Sequence, residues 1–269
     1  MNTTPARTTS FSWDLDLNWA KNKNSVNELY GDLETYRMSD LWGAQIHARP
    51  GQAFGTIIGN NYRRDDNGNL MVNDNGRIQR DNNQEVGNIT PDWVGGMTNT
   101  IRYKNVYLRV HLDAKMGGDF VAGTLRWGGS GGALEFTAED NLREEGRTWD
   151  AVRVSDGGVN DVVISGQQWA SDYSRTVGNW AVDGSYIKLR EVSLGYTLPQ
   201  SDLGNLGNYV NSIRFSLIGR NLAILYRSSE NIYGIDPEVS SGNSLVGLGY
   251  EQMTVPVARN IGARLTLSF

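Results

Sequence analysis

The chain ends with the segment Pro256-Val-Ala-Arg-Asn-Ile-Gly-Ala-Arg-Leu-Thr-Leu-Ser-Phe269, in which apolar and polar side chains alternate. Successive side chains of a β-strand point to opposite faces, so the segment predicts a strand with one apolar and one polar face. The apolar face consists of Ile261, Ala263, Leu265, Leu267 and Phe269. Such a strand is typical of a bacterial outer-membrane β-barrel, but a half-buried strand of a soluble sheet alternates in the same way.

The composition of the 269 residues excludes several classes of protein. A mean hydropathy of −0.46, without a run of roughly 18 apolar residues, argues against a helical membrane protein. The absence of cysteine excludes disulfides, thiolate catalysis and Cys-ligated zinc. The net charge of −5, with both signs interspersed, argues against a nucleic-acid partner. Trp (8) and Tyr (12) exceed Phe (6), which suits membrane-interface girdles, sugar-stacking sites or an ordinary all-β core.

Upstream segments predict further strands. In the clearest hairpin, residues 93–102 lead through Tyr103-Lys-Asn105 into residues 106–115, where aliphatic side chains alternate with polar or amphipathic ones. The other predicted strands cover residues 9–19, 44–48, 51–59, 185–198 and 213–225. We expect about seven strands, joined by connections that alternate between short and long.

Three stretches predict loops. Residues 64–88 contain Asp65-Asp-Asn-Gly-Asn69 and Asn73-Asp-Asn-Gly76, residue types that tolerate the positive φ of tight turns. A calcium loop is the alternative there, although acidic residues are few and no glutamate stands at the spacing of an EF-hand. Residues 116–184 and 226–255 predict long loops, which are uncommon inside compact soluble domains and usual outside a membrane barrel.

Three motifs follow one another in the C-terminal part of the chain. They are Gly184-Ser-Tyr-Ile-Lys-Leu-Arg-Glu-Val-Ser-Leu-Gly-Tyr-Thr-Leu-Pro199, Ile213-Arg-Phe-Ser-Leu-Ile-Gly-Arg-Asn-Leu222 and Tyr233-Gly-Ile-Asp-Pro-Glu238. In that order, before a terminal Phe strand, they resemble the C-terminal part of the SusC/RagA-type TonB-dependent transporters of Bacteroidetes. Ile89-Thr-Pro-Asp-Trp93 followed by Tyr103-Lys-Asn105 resembles the preceding hairpin of that family. The resemblance is strongest over residues 88–116 and 184–269 and weak over residues 119–180.

The resemblance implies an all-β fold, an antiparallel transmembrane β-barrel of 22 strands filled by an N-terminal plug domain. Long loops are extracellular in that fold, and short turns are periplasmic. About seven strands cannot close such a barrel, because strand number and diameter are linked. We therefore expect residues 1–269 to be a C-terminal fragment of a barrel in the Gram-negative outer membrane. We expect the plug domain, the TonB box and a signal peptide to lie outside residues 1–269.

The function that the resemblance implies is nutrient uptake. An oligosaccharide or peptide is captured between the barrel and a SusD-like surface lipoprotein, and TonB supplies the energy. The barrel-assembly machinery and outer-membrane lipid are further expected partners, and no cofactor or metal is expected. Two alternatives stay open, a passive or adhesive outer-membrane barrel and a soluble all-β carbohydrate-binding module.

No catalytic constellation occurs in the sequence, because His47 and His111 lie in separate predicted strands and no nucleophile or phosphate-binding motif is found. An enzyme is therefore not expected. The candidate residues are those of a binding and transport protein. The charged side chains expected to line the lumen are Arg109, Asp113, Lys115, Arg190, Arg220 and Arg264.

Two further sets of candidates lie in the loops and in the last strand. The loop aromatics that suit contacts with a ligand or partner, or simply pack the loops, are Trp127, Trp149, Trp169 and Tyr173. The residues expected to act as the assembly signal are Leu265, Leu267 and Phe269. In the segment 236–238, Pro237 is expected to stiffen a turn and Asp236 to accept backbone hydrogen bonds.

Overall fold

The structure, a computed structural model, describes residues 1–238 and 249–269. The chain is 50% strand and 15% helix, mostly in antiparallel sheets, which confirms the predicted β class. Among the described residues, no helix has the length and apolar character needed to cross a membrane.

The described residues form sixteen strands in four sheets. The strands are β1 (Asn2–Arg7), β2 (Phe11–Ala20), β3 (Tyr36–Leu41), β4 (Ala44–Ala48), β5 (Thr56–Tyr62), β6 (Leu70–Val72), β7 (Arg80–Asn88), β8 (Pro91–Tyr103), β9 (Val106–Gly117), β10 (Asp119–Ala122), β11 (Ala151–Arg153), β12 (Ala181–Asp183), β13 (Tyr186–Pro199), β14 (Ser212–Arg227), β15 (Tyr250–Glu251) and β16 (Asn260–Ser268). The α-helices are α1 (Gly123–Ser130), α2 (Leu142–Glu145) and α3 (Gly166–Ser174).

The largest sheet has the order β1-β2-β8-β9-β13-β14-β16, and every neighbouring pair is antiparallel. Its connections alternate in length. Residues 8–10, 104–105 and 200–211 make the short connections, and residues 21–90, 118–185 and 228–259 make the long ones. Because the strands are antiparallel, the short connections lie at one end of the sheet and the long connections at the other.

The two faces of this sheet differ in chemistry along its whole width. The register pairs apolar with apolar residues, for example Phe215 with Leu265 and Leu108 with Leu194. No other part of the described chain covers the apolar face. Leu194 and Leu217 are each 50% exposed, and Leu265 is 65% exposed.

The hydrophobic core lies outside the seven-stranded sheet. Of the buried hydrophobic residues in the described part of the chain, only Tyr186 belongs to that sheet. The main core is built where the four-stranded sheet β3-β4-β5-β7 meets the segment from β10 to β12. Its members include Ile57 and Trp180, which are fully buried. The sheet therefore carries a compact body on its long connections.

The prediction of a loop over residues 116–184 is wrong. Three α-helices and strands β10, β11 and β12 lie there, because apolar residues such as Val121 and Leu125 pack against β4 and β5. Helix α3 begins with a capping box, in which Ser165 and Gln168 each bond the other's backbone N–H. That signal is readable in the sequence.

The prediction of a loop over residues 64–88 is also wrong in part. Strand β7 forms there although its sequence is rich in Asn, because β5 pairs with it antiparallel along most of its length. The two predicted turns are confirmed. Asp65 Oδ1 accepts the N–H of Asn69 at 2.8 Å, and Asn73 Oδ1 accepts the N–H of Arg77 at 3.0 Å. Hydrogen bonds from Asn69 also lower the pKa of Asp65.

Three boundaries differ from the predictions. Strand β1 was not predicted, because its sequence is polar and contains Pro5, which suits an edge strand. The strand predicted over residues 51–59 begins only at Thr56, since Gly51 and Gly55 adopt positive φ in the preceding turn. The loop predicted over residues 226–255 contains the short strand β15, and its residues 239–248 lie outside the described residues.

Candidate functional site

The six residues predicted to line the lumen lie on the polar face of the seven-stranded sheet. Three of them, Arg109, Arg220 and Arg264, border a groove of about 770 Å³. The other charged residues along this groove are Asp16, Arg102, Lys104, Glu191 and Arg214. Basic side chains outnumber acidic ones there by six to two, so the groove has a positive potential.

The charges in the groove are only partly neutralised. Arg220 Nε donates to Glu191 at 2.9 Å. Within the described part of the chain, Arg109 and Arg264 form no ion pair. His111 lies on the same strand as Arg109, and its Nδ1 is 2.8 Å from the Thr98 hydroxyl.

Asp113 and Arg190 belong to a second group of charges, the ion-pair cluster, nearer the long connections. Its members are Asp113, Lys188, Arg190, Asp236 and Glu238. Arg190 donates to Asp113 Oδ2 from Nε at 2.9 Å and from Nη2 at 2.5 Å. Lys188 Nζ donates to Glu238 Oε2 at 2.6 Å and also to Asp236. Arg190 donates to Glu238 as well, so one network joins two strands to a loop.

Strand β13 contains a β-bulge at Arg190. The pairing register of β13 shifts between Leu189 and Glu191 against both β9 and β14. Such a bulge leaves one residue without a ladder partner and re-aims its side chain. Arg190 is that residue, and its guanidinium reaches Asp113 on the polar face.

The loop after β14 is ordered by its own hydrogen bonds. Asn231 bridges Ile235, accepting its N–H at 2.9 Å and donating to its carbonyl at 2.6 Å. Asp236 Oδ1 accepts the N–H of Glu238 at 3.0 Å, which confirms the predicted backbone hydrogen bond. Asp236 also binds Lys188, a contact that sequence reasoning missed. A lysine between the apolar neighbours Ile187 and Leu189 was the available signal.

Burial and charge act in opposite directions on Glu238. Burial alone raises the pKa of its carboxyl group, but hydrogen bonds from Arg190 and Lys188 outweigh burial and hold that pKa at about 2. Glu238 is therefore ionised at neutral pH. Lys188 is 5% exposed and Asp236 is 8% exposed, so their pair is shielded from water.

Lys115, the sixth predicted residue, lies beside this cluster. Its Nζ is 6.0 Å from the centre of the Tyr186 ring. Tyr186 in turn donates its hydroxyl to Glu238 at 3.0 Å. Lys115 therefore contacts the cluster only indirectly, by way of Tyr186. It forms no ion pair among the described residues.

The predicted loop aromatics separate into packed and exposed residues. Trp149 is 8% exposed and stacks on Trp169, with ring centres 4.7 Å apart. Tyr173 stacks on the other end of this group at 6.0 Å, and burial raises its pKa to about 12. These three residues pack the body on the long connections. Trp127 differs, since it is 42% exposed.

The predicted assembly residues lie in the last strand or next to it. Leu265 and Leu267 are on the apolar face of β16, opposite Phe215 and Ile213. Phe269 follows the strand and is 82% exposed. No group of metal-ligating side chains occurs in the described residues.

Comparisons with known proteins identify similar chains. No family model matches. The chain is 25% identical over 288 residues to TonB-dependent receptor P3 of Formosa agariphila, a match that covers 96% of this chain and 27% of that protein. It is 26% identical over 303 residues to TonB-dependent receptor P26 of the same species, covering 100% of this chain and 28% of that protein. The chain thus spans about a quarter of the length of these relatives.

Solved structures show the same fold. The structure of the RagAB peptide transporter matches with a TM-score of 0.66 at 17% identity, covering 100% of this chain and 28% of that chain. The RagAB peptide importer in the open-open state matches with a TM-score of 0.64 at 16% identity, with the same coverage. The resemblance to SusC/RagA-type TonB-dependent transporters, predicted from three sequence motifs, is therefore confirmed.

Proposed function

We propose that residues 1–269 form the C-terminal part of the barrel wall of a TonB-dependent nutrient transporter in the outer membrane. The seven-stranded sheet supplies seven of about 22 transmembrane strands. The observation that carries this proposal is the uncovered apolar face of that sheet. Leu194, Leu217 and Leu265 are exposed there although the chain builds a buried core elsewhere.

The exposed face argues for lipid rather than water. A soluble β-sandwich buries the apolar face of each sheet against a second layer about 10 Å away. Large apolar patches on soluble proteins are rare and mark interaction surfaces. In a bilayer the same face meets hydrocarbon, and the polar face with Arg109 and Arg264 meets the wet interior.

The ends of the sheet give the orientation. Outer-membrane barrels have short periplasmic turns and long extracellular loops. The turn at residues 104–105 is then periplasmic, and the packed body formed by the long connections is extracellular. The ion-pair cluster lies near the extracellular end, where it fixes the loop of Asp236 and Glu238 to the wall.

The sheet has two edge strands, β1 and β16. Unpaired strand edges are not tolerated in hydrocarbon. In the proposal, the remaining strands of the parent receptor pair with both edges and close the barrel. A plug domain in that remainder fills the lumen and contacts TonB.

The proposed cargo is an oligosaccharide or a peptide, delivered with a SusD-like surface lipoprotein as partner. Support comes from the matched receptors and from the peptide transporter whose fold the chain shares. The barrel-assembly machinery inserts the parent receptor into the membrane.

Cell fractionation tests the proposal. The full-length receptor is produced in a Gram-negative host, and its distribution between aqueous and detergent extracts of the envelope is measured. We expect it in the outer-membrane fraction, released only by detergent. Recovery in the aqueous extract would overturn the barrel assignment and favour a soluble carbohydrate-binding module.

A further inference from the structure

Helix α1 presents an arginine to three tryptophans. The Cζ atom of Arg126 lies 4.3 Å from the ring centre of Trp127, 5.5 Å from that of Trp180 and 5.9 Å from that of Trp42. The three rings come from separate segments, so the arrangement is built by the fold. Trp42 adopts a φ of +59°, a strained conformation for a bulky residue.

The positive charge of Arg126 has no acidic partner among residues 1–238 and 249–269. In the described part of the chain it forms no hydrogen bond and no ion pair, and its Nε is buried without an acceptor. Residues 239–248 contain no Asp or Glu. Burial and the nearby Arg175 both lower the pKa of Arg126.

The rings offset only part of this cost. A cation close to aromatic rings is attracted by their electron-rich faces, and three rings surround the guanidinium. Its edge, with Nη1 and Nη2, is not closed off as Nε is, and no residue that the structure describes supplies it with an acceptor. That edge is the fork that binds a planar carboxylate through two parallel hydrogen bonds.

Two neighbouring polar groups are also without partners. Ser174 Oγ and Trp180 Nε1 are buried and make no hydrogen bond. Ser174 packs against Gly129 of α1, where an added Cβ would lie 2.9 Å from its Oγ. Buried polar atoms are nearly always satisfied in folded proteins, so these atoms set the junction of α1 and α3 apart. They are closed to solvent, so a ligand contacts the exposed guanidinium edge and not these atoms.

Trp127 indicates the body of that ligand. Its ring is 42% exposed, and the glycines that follow it at 128 and 129 carry no side chain to cover it. A flat exposed ring suits the apolar face of a pyranose. The groove on the polar face of the sheet has the matching positive charge, which attracts anions.

We propose that Arg126, Arg175 and Trp127 bind an acidic sugar, with the guanidinium edge on the carboxylate and the indole on the ring. The chain then selects oligosaccharides that contain uronic acids. The role in uptake rests on the function proposed above, whereas the binding itself does not.

Calorimetric titration of the full-length receptor in detergent tests the site. The probes are an oligogalacturonate, a neutral maltohexaose and a hexaglutamate peptide. We expect the oligogalacturonate to bind best, and Arg126→Gln to weaken its affinity by about tenfold or more. Arg126→Lys keeps the positive charge but loses the forked guanidinium. Its affinity is expected to fall between those of the unmodified receptor and Arg126→Gln.

Two further variants keep the test decisive. Arg175→Gln changes an exposed side chain, so it weakens binding without disturbing the packing of α1. Arg63→Gln, on the exposed surface elsewhere, leaves the affinity unchanged. Equal affinity of Arg126→Gln and the unmodified receptor overturns the inference, as does equal or tighter binding of maltohexaose or hexaglutamate. A receptor that binds the oligogalacturonate yet fractionates as a soluble protein supports this site and overturns the transporter.

Discussion

At the scale of single residues, Lys188 is the centre of the ion-pair cluster. It is nearly buried and binds both Asp236 and Glu238. Replacing one partner of a buried ion pair leaves the remaining charges uncompensated, which costs about 3–5 kcal/mol.

We therefore expect Lys188→Met to release the loop of residues 228–238 from the wall. The measurement is limited proteolysis of the purified receptor, with cleavage sites identified by mass spectrometry. Lys104→Met removes an exposed lysine without an ion pair among the described residues and serves as the control. Equal cleavage rates for both variants would show that the cluster does not hold the loop.

The pKa of Glu238 predicts how the cluster responds to acid. That pKa is held at about 2, below its ordinary value of 4.5. The ionised carboxylate therefore contributes stability that is fully present above pH 4.5 and is lost as the pH falls toward 2.

The contribution of the carboxylate is measured as the difference in unfolding temperature between the unmodified receptor and the Glu238→Gln variant. We expect the difference to stay constant from pH 7 to about pH 5 and to shrink only below that range. A difference that already disappears between pH 7 and pH 5 would contradict the assigned ion pairs.

The last strand offers a residue-scale test of which face meets lipid. Leu265 lies on the apolar face and Thr266 on the polar face of the same strand. A charge in the middle of the lipid face costs about 2–4 kcal/mol. We expect Leu265→Arg, and likewise deletion of Phe269, to block assembly, while Thr266→Arg assembles normally. Immunoblots of outer-membrane fractions measure assembly. Normal levels of the Leu265→Arg variant would show that this face of β16 does not contact lipid.

At the scale of elements, one carboxylate joins helix α3 to the start of strand β7 and the residues just before it. Asp172 is 2% exposed and accepts two hydrogen bonds from Arg77, at 2.8 and 2.7 Å, and one from Arg80 at 2.9 Å. Its removal leaves two guanidinium groups without their shared partner.

We expect Asp172→Asn to loosen the packed body while the sheet stays assembled. The measurement is hydrogen exchange of the peptides from residues 123–183 against those of the seven-stranded sheet. Asp156→Asn weakens an ion pair with Arg153 at the surface, where solvent screens the charges, and is the matched control. Uniform exchange changes across both regions would show that body and sheet unfold together.

Strands were predictable where apolar and polar side chains alternate along the sequence. Strand β9 and the last strand alternate apolar and polar side chains, so the sequence separated the apolar from the polar face of each. Strand β7 was missed because its Asn-rich sequence has low strand propensity and only the partner strand β5 explains it. Lys188 was missed because its partners lie 48 and 50 residues away, in a loop whose position depends on the whole fold.

At the scale of the whole molecule, two environments divide the chain. Ile57 and Trp180 are fully buried in the body on the long connections, as in a soluble protein. Leu194 and Leu217 are half exposed on the sheet, as in a protein solvated by lipid. The sequence predicted six of the seven strands of the sheet and missed β1. The predicted strands over residues 44–48 and 51–59 lie in the body, most of which was expected to be loop. Its apolar residues have no single period, because they pack from several short helices and strands.

Alternate residues of the sheet are expected to contact lipid. Residues 1–269 contain no cysteine, and any cysteine elsewhere in the receptor is first replaced by serine. Single cysteines are placed at residues 215, 216, 217 and 218 of β14 in the full-length receptor and given a spin label. Collision rates with oxygen, which concentrates in lipid, and with a water-soluble nickel complex are then measured. We expect oxygen contact to dominate at Phe215 and Leu217 and nickel contact to dominate at Ser216 and Ile218. Equal nickel contact at all four positions would contradict the barrel.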